Sequence, residues 1–378
     1  MEVPDQKNLF VLGALERNVS IYLQQVRALN LAWDLGRRGP VAVIGGGFAG
    51  LTAAAGLTAL GTRAVVFERQ DQLLKLQRGN RVRWIHPHIH EWPRPGAEDP
   101  RAGLPLMDWQ AGYAGDVAES LLAQVDFEVR LNSRVTLETG WKVNAESFEA
   151  VILAVGLGVE KTFGNLPLLS YWLDRDIEAG GRVFISGCGE GGLIDALYLK
   201  LTDFRHDRVV SECLSGLDEL KARLLELEDG LENADPVEAG QKLTRAYATL
   251  AVPEKVDACL AARLRKDTDV VLNSPSSHFL TNKADILNRF LISRLHRMGA
   301  VAHVPGKLQS IEPEGERWRV QLDTGLDEPY DRVLVRHGTV PALKSEFARW
   351  WEPYLAVRKE RPFEVPVPRF QFSLGRHS

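Results

Sequence analysis

Three short segments hold residues whose types and spacing could do chemistry. The first is Gly45-Gly46-Gly47-Phe48-Ala49-Gly50, a GxGxxG spacing. Gly45 permits a tight turn, Gly47 lets backbone N–H groups approach a pyrophosphate, and Gly50 lets a following helix pack closely, its N-terminus adding positive potential. Phe48 and Ala49 complete the turn as candidate cofactor contacts. Glu68, roughly 20 residues on, stands where an acceptor for ribose hydroxyls belongs, with Arg69 beside it as a further candidate. The second segment, Gly187-Cys188-Gly189-Glu190-Gly191-Gly192, repeats the spacing at Gly187, Gly189 and Gly192. Glu190 and Asp195 place carboxylates there that would repel a pyrophosphate unless they point away. The third runs from Arg83 to Pro93 and carries His86, His88 and His90 in alternation. In an extended strand these would share a face, and alternating imidazoles can bind metal. Pro87 and the aromatic neighbours interrupt such a strand, and no distant carboxylate is identifiable from sequence, so no metal is expected.

The elements that must position these residues follow the same rhythm twice. The apolar run from Val41 to Ile44 predicts a strand, then the glycine turn, an Ala/Leu-rich helix ending near Gly61, and a second strand ending at Glu68: one βαβ unit. After Gly180-Gly181, RVFIS, the second turn and LIDALYLKL repeat it. A helix is expected from about Leu15 to Arg38, stopped by Gly39-Pro40. The Pro-, Arg-, His- and Trp-rich stretch from Gln70 to Gly115 reads as a long ordered loop. FEVRLN, SRVTLE and FEAVILAVG read as strands. Charged helical sequence from about Phe204 to Lys266, with Leu217, Leu220, Leu224 and Leu227 on one face, reads as an inserted helical subdomain. DVVLN, a helix near Asp285 to Arg297, AVAHV, a hairpin and RVLVRHG resume the α/β pattern, and an aromatic tail follows Pro341.

VAVIGGGFAGLTAA followed by VVFE resembles the FAD-binding signature of flavoproteins with two dinucleotide-binding domains, the broad group of pyridine nucleotide reductases and flavin monooxygenases. FEAVILAVG resembles the apolar strand that leads out of the FAD domain, with Gly156 closing its turn. The resemblance implies an α/β fold of two Rossmann-like domains, the second inserted in the first, with a helical insertion and an N-terminal helix. The implied boundaries are 1–39 for the N-terminal extension, 40–160 and 328–378 for the FAD domain, and 161–327 for an NAD(P)-type domain containing the insertion 204–266. It implies FAD as cofactor, NAD(P)H as a possible reductant, and an FAD-dependent oxidoreductase acting on a small acceptor. Alternatives are a monooxygenase or oxidase with a degenerate second site, and a non-catalytic dinucleotide sensor. In these folds the segment after the second FAD strand commonly approaches the flavin, so His88, His90 and Trp92 are candidates for proton transfer or ring stacking; structural packing is the other reading. His337, at the end of RVLVRHG, is a candidate flavin-side residue, and Arg336-His337-Gly338 stands where a Gly-Asp is usual. Gln24, Gln25 and Arg27 could reach phosphates or a partner, against a solvated or locally bonded helix face.

Composition narrows the classes. A formal net charge of −4 over 378 residues offers no basic field, so neither nucleic acid nor an anionic membrane surface is expected. No uninterrupted apolar run reaches the ~18–20 residues that span a bilayer. Cys188, Cys213 and Cys259 are odd in number, widely spaced and never CxxC; read as free thiols, they suggest a reducing, cytoplasmic setting and exclude an adjacent redox dithiol. A homo-oligomer or protein partner could dock through the insertion 204–266.

Overall fold

A computed structural model describes residues 1–13, 19–137, 141–143, 146–166, 170–172, 180–361 and 365–370. The chain forms two compact units: residues 1–87, 100–159 and 339–378 make the first, and 88–99 and 160–338 the second.

The first unit contains β1 (Leu9–Val11), α1 (Ile21–Leu35), β2 (Val41–Ile44), α2 (Phe48–Ala59), β3 (Ala64–Phe67), α3 (Ala114–Leu122), β4 (Glu128–Arg130) and β5 (Ala150–Leu153). Its strands lie in the order β1-β5-β2-β3-β4, all parallel. The runs VAVI, AVVF and AVIL are buried at every position, as a parallel sheet covered on both faces requires. The expected N-terminal extension is therefore more than helical, because β1 pairs with β5 inside this sheet. Of the predicted SRVTLE strand, the described residues form a single bridge, between Leu137 and Val143, and Glu138 lies outside them.

Helix α1 starts where Ser20 Oγ accepts from the Leu23 N–H at 3.1 Å, and it ends at Gly36, whose φ of +59° suits glycine. Val26, Leu29 and Ala32 share a core cluster with Leu51, Ala54 and Leu57 of α2. Gln25 is locally bonded rather than solvated: wholly buried, its Nε2 donates to Thr52 Oγ1 at 3.2 Å and to the Met107 carbonyl at 2.9 Å, while Trp109 Nε1 donates to its Oε1 at 2.7 Å. Gln25→Ala strands those buried groups, and a loss of about 1–3 kcal/mol per unsatisfied group is expected in urea unfolding; an unchanged midpoint would refute the role.

The second unit contains β6 (Gly181–Ser186), α4 (Glu190–Lys200), α5 (His206–Cys213), α6 (Asp218–Glu228), α7 (Pro236–Thr249), α8 (Glu254–Ala262), β7 (Thr268–Ser274), α9 (Ile286–Arg297), β8 (Val301–Pro305), β9 (Leu308–Glu314), β10 (Arg317–Leu322), β11 (Asp327–Tyr330) and β12 (Arg332–Val335). A parallel sheet runs β8-β7-β6-β12, and β9-β10-β11 form an antiparallel sheet. This corrects the boundary expected at 328: RVLVRHG is not a strand of the FAD domain, because β12 pairs with β6 from Val183↔Arg332 to Ser186↔Val335.

Helices α5 to α8 form the expected insertion. Leu217, Leu220 and Leu224 are buried in the second unit's own core, with Leu227 packed against it, so the leucine stripe is internal. Inside the same unit, Arg289 of α9 grips the Glu228 carboxylate with Nε at 2.9 Å and with Nη2, and Glu228 also accepts from the Tyr247 hydroxyl. The free-thiol expectation fails for two cysteines: Cys213 and Cys259 form a disulfide 46 residues apart in sequence with Cα atoms 5.6 Å apart, linking α5 to α8. Sequence spacing concealed it because the pairing is made by helix packing. The cysteines therefore no longer argue for a reducing compartment. Cys213→Ser is expected to cost about 2–4 kcal/mol, read as a lowered urea midpoint that reductant does not lower further. Among the described residues, no helix is long and apolar enough to cross a membrane.

The chain closes in the first unit with α10 (Ala342–Glu346) and α11 (Ala348–Glu360). Trp350, Trp351 and Tyr354 pack in one cluster with Val65 and Phe67, as expected of an aromatic tail. Phe363 and Phe372 lie outside the described residues.

Candidate functional site: two glycine turns of one construction

In the first turn Gly45 has φ +113°, and a Cβ there would lie 2.3 Å from the Ala154 carbonyl oxygen. A Cβ on Gly50 would lie 2.0 Å from the Gly45 oxygen, whereas one on Gly47 would meet nothing within 4 Å. So two glycines let backbone pack on backbone, and the third faces open space at the start of α2. Gly47 caps that helix with no side-chain hydrogen bond, leaving its first N–H groups to a ligand. Glu68 sits one step past the Ile44↔Phe67 pairing; its carboxylate accepts from the Gly46 N–H at 2.7 Å and the Gln70 N–H at 2.8 Å. Arg69 instead pairs with Glu346 at the surface. Gly156 has φ +73° in the turn whose Ala154 borders Gly45.

The second turn repeats this construction. Gly187 has φ +121°; its Cβ would lie 2.3 Å from the Arg336 carbonyl oxygen, a Cβ on Gly192 would lie 1.9 Å from the Gly187 oxygen, and one on Gly189 would meet nothing within 4 Å. Gly189 caps α4 without a side-chain bond. Arg336-His337-Gly338 thus occupies the place of Ala154-Val155-Gly156, after strands in matching positions, and does not stand at the strand end where a flavin-side Gly-Asp is expected. His337 serves the second unit: its Nε2 lies 2.8 Å from Ser186 Oγ, and burial lowers its pKa, helped by the Lys161 charge.

Both acids of the second turn are engaged. Asp195, wholly buried, binds Arg336 Nε at 2.6 Å, and Arg336 Nη1 binds Glu160 at 2.9 Å. Glu190 accepts from the Asp285 N–H at 2.8 Å and from Asn288 Nδ2 at 2.6 Å. The counterpart of Glu68, one step past the Ser186↔Asn273 pairing, is Ser274. Its hydroxyl is taken by the His278 carbonyl at 3.0 Å and His303 Nε2 at 2.8 Å. Cys188 is a buried filler: burial pushes its thiol up to about 12 despite a Ser274 hydrogen bond, so it carries little thiolate.

The histidine segment divides. His86 belongs to the first unit, whereas His88, His90 and Trp92 belong to the second. Trp92 is 1% exposed and packs on Phe290 with centroids 6.2 Å apart, so the expected ring stacking has no open face. His90 Nδ1 lies 2.5 Å from Asp285 Oδ2 and 3.6 Å from Glu190 Oε1. Burial opposes its protonation, but the charges and hydrogen bonds of Asp285 and Glu190 outweigh this and carry its pKa to about 10. Burial and the Asp285 charge push Glu190 up to about 7. His88 is half-buried.

Residues 40–129 match the family model for FAD dependent oxidoreductase. The matched stretch holds the first glycine turn and Glu68. The open cradle at Gly47, the uncapped α2 start and the fixed Glu68 carboxylate fit FAD's pyrophosphate and ribose. Solved structures with a similar arrangement include thioredoxin reductase of Lactococcus lactis, 13% identical over 80% of this chain and 78% of that one, with a TM-score of 0.43. Others are the lysine monooxygenase NbtG of Nocardia farcinica, at 13%, 86%, 87% and 0.40, and cyclohexanone monooxygenase, at 15%, 82%, 76% and 0.46. No curated protein matches the chain. The second turn repeats the close approaches and the open face of the first, but its strand end carries Ser274 in place of an acid.

Sequence reasoning missed Asp285 and His206 beside His90, and Asn288 beside Glu190. A helix near Asp285 was readable; the contact of Asp285 with a histidine 195 residues away was not. His303, which holds Ser274, has its pKa lowered to about 4 by burial and then by His296 and His278. Between about pH 4 and 6.5 the unfolded chain binds the extra proton, so this residue's contribution makes stability fall as pH falls, by at most about 1.4 kcal/mol per pH unit. His303→Gln is expected to flatten the urea midpoint against pH over that range; parallel profiles would dismiss the effect.

Proposed function

We propose that this FAD-dependent oxidoreductase has its flavin reduced by NAD(P)H held at the second glycine turn, and that it passes the electrons to a small acceptor. The observation that carries the reading is the repeated construction: Gly45, Gly47 and Gly50 are matched by Gly187, Gly189 and Gly192 in close-approach distances and open cradle. Bound FAD supplies the hydride and electron chemistry. The chain's own part is binding and orientation. Phe48 and Ala49 present backbone N–H groups at the α2 start, and Glu68, its carboxylate fixed by Gly46 and Gln70, accepts from ribose hydroxyls. At the second turn Arg336 neutralises Asp195, and the hydrogen bonds to Glu190 hold that carboxylate against α9, so the α4 start stays favourable to a pyrophosphate.

A second reading, a monooxygenase or oxidase with a degenerate second site, is favoured by Ser274, whose hydroxyl is spent inside the protein. The test is the visible spectrum of the purified protein, with FAD added if needed, followed by NADH and NADPH under anaerobic conditions. A bound flavin bleached by either nucleotide supports the proposal. A flavin that neither reduces supports the second reading, and a protein that takes up no FAD overturns both.

A further inference from the structure

We propose that His90, Glu190 and Asp285 form a divalent-metal site in the second unit, with zinc the ion whose ligand preferences they meet best. The residues come from three separated stretches of chain, and their donor atoms all lie within 4.8 Å of one another. Zinc bonds to imidazole nitrogen and carboxylate oxygen are about 2.0–2.2 Å, so donors in a tetrahedral set stand roughly 3.3–3.6 Å apart. His90 Nδ1 already stands 3.6 Å from Glu190 Oε1; its separation from Asp285 Oδ2, 2.5 Å, must widen by about 1 Å as the shared proton leaves. Three protein ligands leave a fourth position for water or an anion.

Charge and support agree with this assignment. Two carboxylates converge on a single imidazole, so with both acids ionised even a charged imidazole leaves one negative charge in the cluster. A divalent ion with neutral His90 balances both acids. Glu190 and Asp285 stand at the starts of α4 and α9, whose dipoles each contribute about half a positive charge, less than the two carboxylates supply. Glu190 is also oriented by hydrogen bonds: Asn288 Nδ2 donates to the same Oε1 at 2.6 Å, the Asp285 N–H donates to Oε2 at 2.8 Å, and Asn288 Oδ1 in turn faces His206 Nε2 at 2.8 Å. Such outer hydrogen bonds orient metal-ligating carboxylates. The alternating histidines of the sequence thus contribute one ligand, and the distant carboxylates come from two helix starts.

The experiment uses the full chain with its flavin, stripped with chelator, incubated with Zn²⁺ and desalted. Zinc per chain is measured by atomic emission and affinity by competition with a chromophoric chelator. One zinc per chain is expected, with more than tenfold weaker binding in Glu190→Gln and in His90→Ala. Glu190→Gln keeps the side-chain shape and an oxygen for the Asp285 N–H, so it decides the matter if His90→Ala folds poorly, as judged by near-ultraviolet circular dichroism. Failure to retain stoichiometric zinc overturns the proposal, and so does equal affinity in wild type and Glu190→Gln, which identifies adventitious binding elsewhere. Flavin uptake and reduction by NAD(P)H are read separately, so either idea can fail alone.

Discussion

Gly50→Ala is expected to yield a protein that no longer retains FAD. The added Cβ would lie 2.0 Å from the Gly45 oxygen and 3.3 Å from the Ala154 Cβ, so backbone, not a flexible side chain, must give way. Separating α2 from the β2 turn misaligns the helix start with the pyrophosphate. A loss of about 3 kcal/mol corresponds to a weakening of about 100-fold, enough to release flavin during purification, and overpacking should cost the fold about 1–3 kcal/mol more. Gly47→Ala separates binding from folding. Its Cβ meets no protein atom within 4 Å, so the flavin-free protein should unfold at the wild-type urea concentration, while FAD, which must approach that open face, binds more weakly. Should Gly47→Ala bind FAD as wild type does, the open cradle is not the pyrophosphate site.

How much of this was legible in sequence depends on the range of the interactions. The βαβ units were readable because strand burial and the glycine turns are local: VAVI, AVVF and AVIL are apolar at every position, and Gly45 and Gly187 stand directly after their strands. The ownership of RVLVRHG was not readable, since an apolar parallel strand looks alike in either sheet and only the β6–β12 hydrogen bonds decide. The same holds for Cys213 and Cys259, joined by the packing of α5 and α8. Glu190 looked hostile to a nucleotide because its partners, Asp285 and Asn288, lie 95 and 98 residues away. Arg69, next to Glu68 in sequence, turned to Glu346 because adjacent strand-end residues point to opposite sides.

Arg336→Met should be the most damaging single change to the second unit. Arg336 is 9% exposed and Asp195 wholly buried, so removing the guanidinium leaves a buried carboxylate without its cation and releases Glu160 from the same group. Breaking a buried pair by deleting one partner costs about 3–5 kcal/mol, whereas replacing both by apolar groups of similar volume is often neutral. The double variant Arg336→Met/Asp195→Leu should therefore recover most of the loss seen in urea unfolding. The single variant has a second consequence at the α4 start: an uncompensated negative charge in the second turn of that helix opposes an incoming pyrophosphate, so NAD(P)H affinity should fall in the single variant and return in the double. Salt separates the two effects, because screening weakens long-range repulsion but cannot restore a buried partner; nucleotide affinity in Arg336→Met should improve with ionic strength while its stability deficit persists. If the double variant is no more stable than the single, the arginine acts through packing alone, and the charge argument for the second turn falls with it.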